Sequence, residues 1–200
     1  MSSAVPISAG VRQGGVLSPY LFAAFVDDVL GSLKKSSLGC RFRGMLINAI
    51  MYADDLLLMS LSLHDLQAMV NLCVKEFEAI GLSVNISKSA CLRIGPSHNK
   101  PIENVTINGN AIEWMTELRY LGVTFLKSPS FKCNLQIVRQ KYFKALNGIF
   151  GKIGANSSVT VTLSLINSCY TPILLYGIEA LNVSSSVYNV LKAAYTATFF

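Results

Sequence analysis

Two adjacent carboxylates, in Tyr52-Ala53-Asp54-Asp55, are the residues of this chain best suited to chemistry. Apolar residues flank them, Met45 to Met51 before and Leu56 to Met59 after. Each flank reads as a strand buried on both faces, and together they read as a hairpin with the carboxylates at its tip. Adjacent aspartates at the rim of an apolar sheet repel each other and lose hydration, an arrangement that calls for a cation. Hard oxygen donors suit magnesium, which takes one or two protein carboxylates and completes its shell with water and substrate phosphates. The corresponding chemistry is phosphoryl transfer on nucleotides. Aspartate is also a common turn residue, and taken alone the pair reads more readily as a plain turn.

A second stretch with chemical potential is the loop Gly10-Val11-Arg12-Gln13-Gly14-Gly15. It precedes a helix for which Ser18 is the expected N-cap and Pro19 the first helical residue. Backbone amides, an arginine and a glutamine at a helix N-terminus could hold a phosphate or a base edge. A structural turn is the simpler reading of such glycines. Asp27-Asp28, a second acidic pair, falls near the end of that helix, where consecutive residues point about 100° apart and do not face one site jointly. They read as surface residues.

The elements around these stretches follow from periodicity. Gly31 to Gly44 reads as a short basic connection. Ser62 with Asp65 starts a helix whose Leu63, Leu66, Val70, Cys73, Phe77 and Ile80 share a face, and Gly81 closes it. Leu82 to Ile86 alternates as a strand and leads to Lys88, and Cys91 to Ile94 is a further strand. Asn108-Gly109 between Val105-Thr106-Ile107 and Ala111-Ile112 signals a two-residue hairpin. Leu118 to Phe125 reads as a last strand. The rest reads as helical, with a basic helix from Asn134 to Phe150, a break at Gly151 to Asn156, and helices over Thr160–Tyr170, Pro172–Leu181 and Val187–Phe200, the last capped by Ser184 to Ser186.

Whole-chain quantities narrow the function classes. The 200 residues are 52% apolar and 14% charged, so a membrane span has to be considered. The best stretch, Val159 to Ile178, contains Asn167, Ser168, Thr171 and Pro172 without a flanking basic cluster, and reads as buried helix with no stable membrane association. Met1 to Pro6 has no signal-peptide pattern, which implies an intracellular protein. Five scattered cysteines, none in a CxxC pair, fit a reducing compartment and no zinc site. The net charge of +6 is concentrated. Arg119, Lys127, Lys132, Arg139, Lys141, Lys144 and Lys152 enclose no acidic residue, and the remaining chain carries ten basic and eleven acidic side chains. Such a segment fits a polyanion partner, although lysines on a solvated helix face look the same.

With Arg12-Gln13-Gly14…Ser18-Pro19, Tyr52-Ala53-Asp54-Asp55, Gly81…Lys88 and Tyr120-Leu121-Gly122 in this order, nearly the whole chain resembles a reverse transcriptase. More narrowly, it is similar to the polymerase of non-LTR (LINE-like) retrotransposons. The resemblance implies an α+β fold: a right-hand polymerase palm, an antiparallel sheet with helices on one face, over residues 1–127, followed by a helical thumb over residues 128–200. It implies that Asp54 and Asp55 hold catalytic magnesium, or alternatively manganese, with Asp54 first choice as the direct ligand. Lys88 would lie near the triphosphate and protonate the departing pyrophosphate. Arg12, Gln13, Gly14 and Tyr52 would contact template and incoming nucleotide, and Leu121-Gly122 would grip the primer end. Arg119, Lys132, Arg139, Lys141 and Lys144 would follow the nucleic-acid backbone. The implied partners are an RNA template, a DNA primer, dNTPs and the missing N-terminal palm and fingers of the same polymerase, acting in the nucleus.

One departure from the family pattern matters. A third aspartate comes from a strand upstream of the RQG loop in this family, yet Met1 to Val11 contains no acidic residue. Fingers and first palm strand are therefore expected to be absent, both ends read as cut, and these residues alone are expected not to polymerise DNA. The alternatives are a catalytically dead nucleic-acid-binding remnant and a non-functional relic of a retrotransposon.

Overall fold

A computed structural model describes residues 10, 14–153, 158–178 and 183–198. They fall into two compact units: the chain up to Cys91 with Pro101–Trp114, and Leu92–Lys100 with the chain from Met115 onward. Helix and strand are mixed and the sheets among the described residues are small and two-stranded, four of them antiparallel hairpins, in keeping with an α+β class. No helix among the described residues is long and apolar enough to cross a membrane.

The first unit opens with α1 (Ser18–Lys35), whose capping position is taken by Leu17 rather than by the expected Ser18. Leu17 already has helical dihedrals, so the first turn starts one residue early, with Pro19 inside it. Val26, Val29 and Leu33 form its buried stripe, while Asp27 and Asp28 are exposed. The stretch after it is not a plain connection. It folds into β1 (Cys40–Phe42) and β2 (Met45–Ile47), paired from Cys40↔Ile47 to Phe42↔Met45. Asn48 then breaks what reads in sequence as one strand. Its side chain is buried and its Nδ2 donates to the Leu33 carbonyl at 2.8 Å, occupying an acceptor at the end of α1. Gly39, at φ 111°, backs onto Asn48 so closely that a Cβ has no room.

Beyond Asn48, β3 (Ala49–Tyr52) and β4 (Asp55–Leu58) pair antiparallel, with Tyr52 opposite Asp55 at the tip. The helix α2 (Leu63–Ala79) follows. Ser62 caps it by accepting from the Asp65 amide at 3.0 Å. Gly81, at φ 74°, ends it in a Schellman motif: its amide bonds Glu78 O, and the Leu82 amide bonds Phe77 O at 2.8 Å. Two stripes of α2 are buried. Met69, Cys73 and Phe77 pack with α1 and with Ala49, Met51, Leu56 and Leu58 of the hairpin. Val70 and Val74 pack with Val105, Ile107 and Ile112.

Leu82 to Ile86 does not form the expected strand. The Asn85 side chain accepts from the Lys88 amide at 3.2 Å and nucleates a 3₁₀ turn over Ile86–Lys88, a local bond that competes with a ladder. The expected strand from Cys91 to Ile94 shortens to β5 (Cys91–Leu92). Asn108-Gly109, with φ 47° and 79°, joins β6 (Thr106–Ile107) to β7 (Asn110–Ala111) as its sequence signals. Gln67 of α2 clamps this hairpin by bonding both the amide and the carbonyl of Thr106 at 2.8 Å. The chain leaves the unit through β8 (Trp114–Met115).

In the second unit, the stretch expected as one strand is a hairpin. β9 (Glu117–Tyr120) and β10 (Val123–Leu126) pair with Tyr120 opposite Val123, and Leu121-Gly122 makes the turn. Asn134 then caps α3 (Leu135–Ile153) by accepting from the amides of Gln136 and Ile137 at 3.1 and 3.4 Å. Ser158 caps α4 (Val159–Leu165). This helix passes through a π turn, Ile166–Tyr170, into α5 (Thr171–Leu175). Pro172 accounts for the wide turn: it has no amide to donate and its ring would collide with a carbonyl of a regular α-helix. Ser184 caps α6 (Ser185–Thr196) as expected. The core joins Tyr142 and Leu146 of α3, Ile166, Tyr170 and Leu174, and Leu191 and Ala194 of α6. The break expected from Gly151 does not begin there, since α3 continues to Ile153, and the rest of that stretch and the ends of the last two expected helices fall partly on residues outside those described.

Candidate functional site

The Tyr52-Ala53-Asp54-Asp55 tip rests on an apolar root. Ala49 and Met51 on β3, with Leu56 and Leu58 on β4, turn into the core beneath α1 and α2. Ile50 and Tyr52, at 45% and 65% exposure, face the other way. β3 therefore alternates, and it is not buried on both faces as its composition suggests. Ala53 makes the reversal with φ 51°, a left-handed conformation costing about 1 kcal/mol or more for a residue with a Cβ. That strain sits between the tyrosine and the two carboxylates.

Asp54 and Asp55 are both exposed. They keep their hydration, so the desolvation part of the case for a cation falls away, and mutual repulsion at adjacent positions remains. Among the described residues no group of three or more histidine, cysteine, aspartate or glutamate side chains is arranged to hold a metal. Two carboxylates facing solvent fit the open magnesium site that leaves room for water and substrate phosphates, and do not fit a closed protein cage.

Arg12 and Gln13 lie outside the described residues. Gly14 is exposed at φ 77°, and the Ser18 amide bonds Gly15 O at 3.2 Å as the loop enters α1. No acidic residue occupies the first turn of α1. Lys88 closes the 3₁₀ turn: Asn85 holds its amide, Ser87 Oγ bonds Asn85 Oδ1 at 2.8 Å, and its side chain is exposed. The backbone is thus fixed while the ammonium is free to reach. Tyr52, Asp54, Asp55, Gly14 and Lys88 all belong to the first unit.

The remaining candidates belong to the second unit. Leu121 and Gly122 have φ 45° and 83°, as the mirror-image two-residue turn requires. Arg119 projects from β9, Lys132 lies in the loop before α3, and Arg139, Lys141 and Lys144 project from α3, all exposed. Lys141 and Lys144 are neighbours three positions apart on one helix face. The ion pair found among the described residues, His64 with Asp65 at 3.6 Å, involves none of these cations. Arg119 and Lys141 also line a cavity of about 470 Å³, together with Gly122, Val138 and Tyr176.

Sequence reasoning missed Tyr176 and Gly177. Tyr176 Oη donates to the Leu121 carbonyl at 2.9 Å, 55 positions away. The one local signal is the Tyr-Gly pair shortly after Pro172, which marks a helix end and says nothing of its partner.

A sequence model of the family described as "Reverse transcriptase (RNA-dependent DNA polymerase)" matches residues 2–125. The chain is 29% identical over 189 residues to the Retrovirus-related Pol polyprotein from type-1 retrotransposable element R2 of Popillia japonica, covering 90% of this chain and 25% of that protein. It is 28% identical over 136 residues to the Retrovirus-related Pol polyprotein from type-2 retrotransposable element R2DM of Drosophila melanogaster, covering 62% and 12%. To the RNA-directed DNA polymerase from mobile element jockey of Drosophila melanogaster it is 24% identical over 191 residues, covering 92% and 20%. The chain thus spans a quarter or less of the length of these curated relatives.

Proposed function

This chain belongs to the reverse transcriptase (RNA-dependent DNA polymerase) family, and from that premise we propose that it is the metal-binding palm portion, followed by the thumb, of a polymerase that extends a DNA primer on an RNA template. The observation that carries the proposal is the β3–β4 hairpin, which roots in an apolar core and presents Asp54 and Asp55 to solvent at a strained tip.

In this reading the primer 3′-hydroxyl attacks the α-phosphate of a dNTP and pyrophosphate leaves. Magnesium, or manganese, held by Asp54 and Asp55 would supply Lewis-acid charge to the attacking and leaving oxygens. Lys88 donates a proton to the departing pyrophosphate. Arg12, Gln13, Gly14 and Tyr52 contact template and nucleotide, and Leu121-Gly122 holds the primer end. Residues 1–127 form the palm portion and residues 128–200 the thumb.

Two carboxylates do not complete a two-metal site, which needs ligands from a second strand bridging both ions. Met1 to Val11 offers none. In this reading these 200 residues alone are inactive. The test is Asp54→Ala in a complete homologous polymerase, with primer extension as the readout. Extension is abolished; retained extension refutes the metal role of Asp54.

A second reading has its own observation in Arg119, Lys132, Arg139, Lys141 and Lys144, exposed and without carboxylate partners among the described residues. In it the chain grips an RNA–DNA duplex without catalysis. The double substitution discussed below tests that reading.

A further inference from the structure

The Leu121-Gly122 turn is packed against a second turn, Tyr176-Gly177, and the two require each other's glycines. A Cβ on Gly122 would lie 3.0 Å from Tyr176 Cε1, and one on Gly177 would lie 2.8 Å from Val123 Cγ2. Gly122 and Gly177 also have φ 83° and 73°, where a side chain is strained regardless of space. Each turn thus leaves a gap that the other fills.

A hydrogen bond locks this contact. At the apex of a two-residue turn the carbonyl of the first residue has no ladder partner. Leu121 is that residue, and its carbonyl accepts from Tyr176 Oη at 2.9 Å. Tyr176 itself is 61% exposed, so burial of its ring does not explain where it sits. What fixes it is the chain on either side: α5 ends immediately before it, with Leu174 in the core, and Gly177 fits against Val123.

We propose that Tyr176 is a positioning residue for the Leu121-Gly122 turn, so that the helical segment carrying it sets where the primer's 3′ end is held. This rests on the reading of that turn as primer-binding. The mechanical argument is one of tolerance. Leu121 at φ 45° is disfavoured for a residue with a Cβ, and the Tyr176 hydroxyl holds the turn in that conformation. Misplacing a reactant by about 1 Å can slow a reaction on the order of a hundredfold, so a turn that holds a reacting end needs such an anchor.

The experiment uses the whole chain with an RNA–DNA primer–template whose 3′-terminal nucleotide is 4-thiothymidine. Crosslinks are mapped after irradiation, and duplex affinity is measured on the same samples. The unsubstituted chain crosslinks at residues 120–123. Tyr176→Phe keeps the ring against Gly122 and removes the hydroxyl. Its crosslink yield there falls about fivefold, the loss of one hydrogen bond, while duplex affinity stays within about twofold.

An undiminished yield in Tyr176→Phe overturns the proposal. So does a parallel fall in yield and affinity, which is the mark of a merely structural role. If the unsubstituted chain binds duplex yet never crosslinks at the turn, the primer-binding reading fails first and the inference with it. Amide exchange in the free chain gives an independent check: residues 121–123 exchange faster in Tyr176→Phe, and unchanged exchange also counts against the proposal.

Discussion

Cys73 shows how burial at a single residue becomes a property of the fold. It lies on α2 between Met69 and Phe77 and is 3% exposed. Desolvation, with a smaller push from the Glu76 carboxylate, raises its thiol from the ordinary 9.0 to about 12. Between those values the folded chain keeps the proton and the unfolded chain loses it, so stability is intact below pH 9.0 and declines above it. The slope is about 1.4 kcal/mol per pH unit per such group. Cys91, raised by burial to about 11, acts in the same direction. Thermal unfolding followed from pH 8 to 11 therefore falls more steeply for the natural chain than for Cys73→Ala, and equal slopes contradict the burial of this thiol. Asp54, Asp55 and Lys88 stand in water, so their types were legible in sequence while their environment was not. The expectation that the carboxylates lie in a dry rim came from composition, and the alternation of β3 removed it.

At the scale of elements, what was legible is what local chemistry decides. Ser62 and Ser184 cap their helices and Asn108-Gly109 turns its hairpin, because each acts within about four residues of itself. Gly81 belongs to the same class. Gly81→Ala forces a Cβ into a φ of 74° at the end of α2, and it destabilises the chain by about 1 kcal/mol. Chemical denaturation with tryptophan fluorescence, using Trp114, measures it. Two of the misread elements share one feature: a bond to a distant residue accompanies the break. Leu118 to Phe125 is continuous in composition, and Leu-Gly is a weak turn signal. Tyr176, far along the chain, bonds the turn's exposed carbonyl. Met45 to Met51 looked uniform because Asn48 reads as one polar residue in an apolar run, yet its side chain bonds the end of α1.

The scale of the whole molecule is where charge matters. The basic excess lies between Arg119 and Lys152, and its described cations on α3 face solvent. Lys141→Glu with Lys144→Glu replaces two neighbouring positive charges. Binding to RNA–DNA duplex weakens, and the slope of log affinity against log salt falls by about two, near one for each phosphate no longer neutralised. Affinity that ignores salt argues against any grip on nucleic acid by this segment. In the first unit the outstanding surface property is apolar instead. Phe42, Met45 and Tyr20 are 58%, 63% and 75% exposed. Exposed side chains of this size raise the tendency to associate, which bears on how the isolated chain behaves on expression.

The sequence by itself determined the family, through short motifs whose order and separation carry the information, and it determined the local caps and turns. It located the candidate carboxylates, the lysine and the basic segment. Only the tertiary structure decided which face of each strand is buried, where continuous apolar runs break, and which side chain from 55 positions away anchors the Leu121-Gly122 turn. The reason is physical. A cap or a two-residue turn is settled by bonds within a few residues, whereas the burial of one strand face and the partner of one exposed carbonyl depend on surfaces that meet only after the chain has folded.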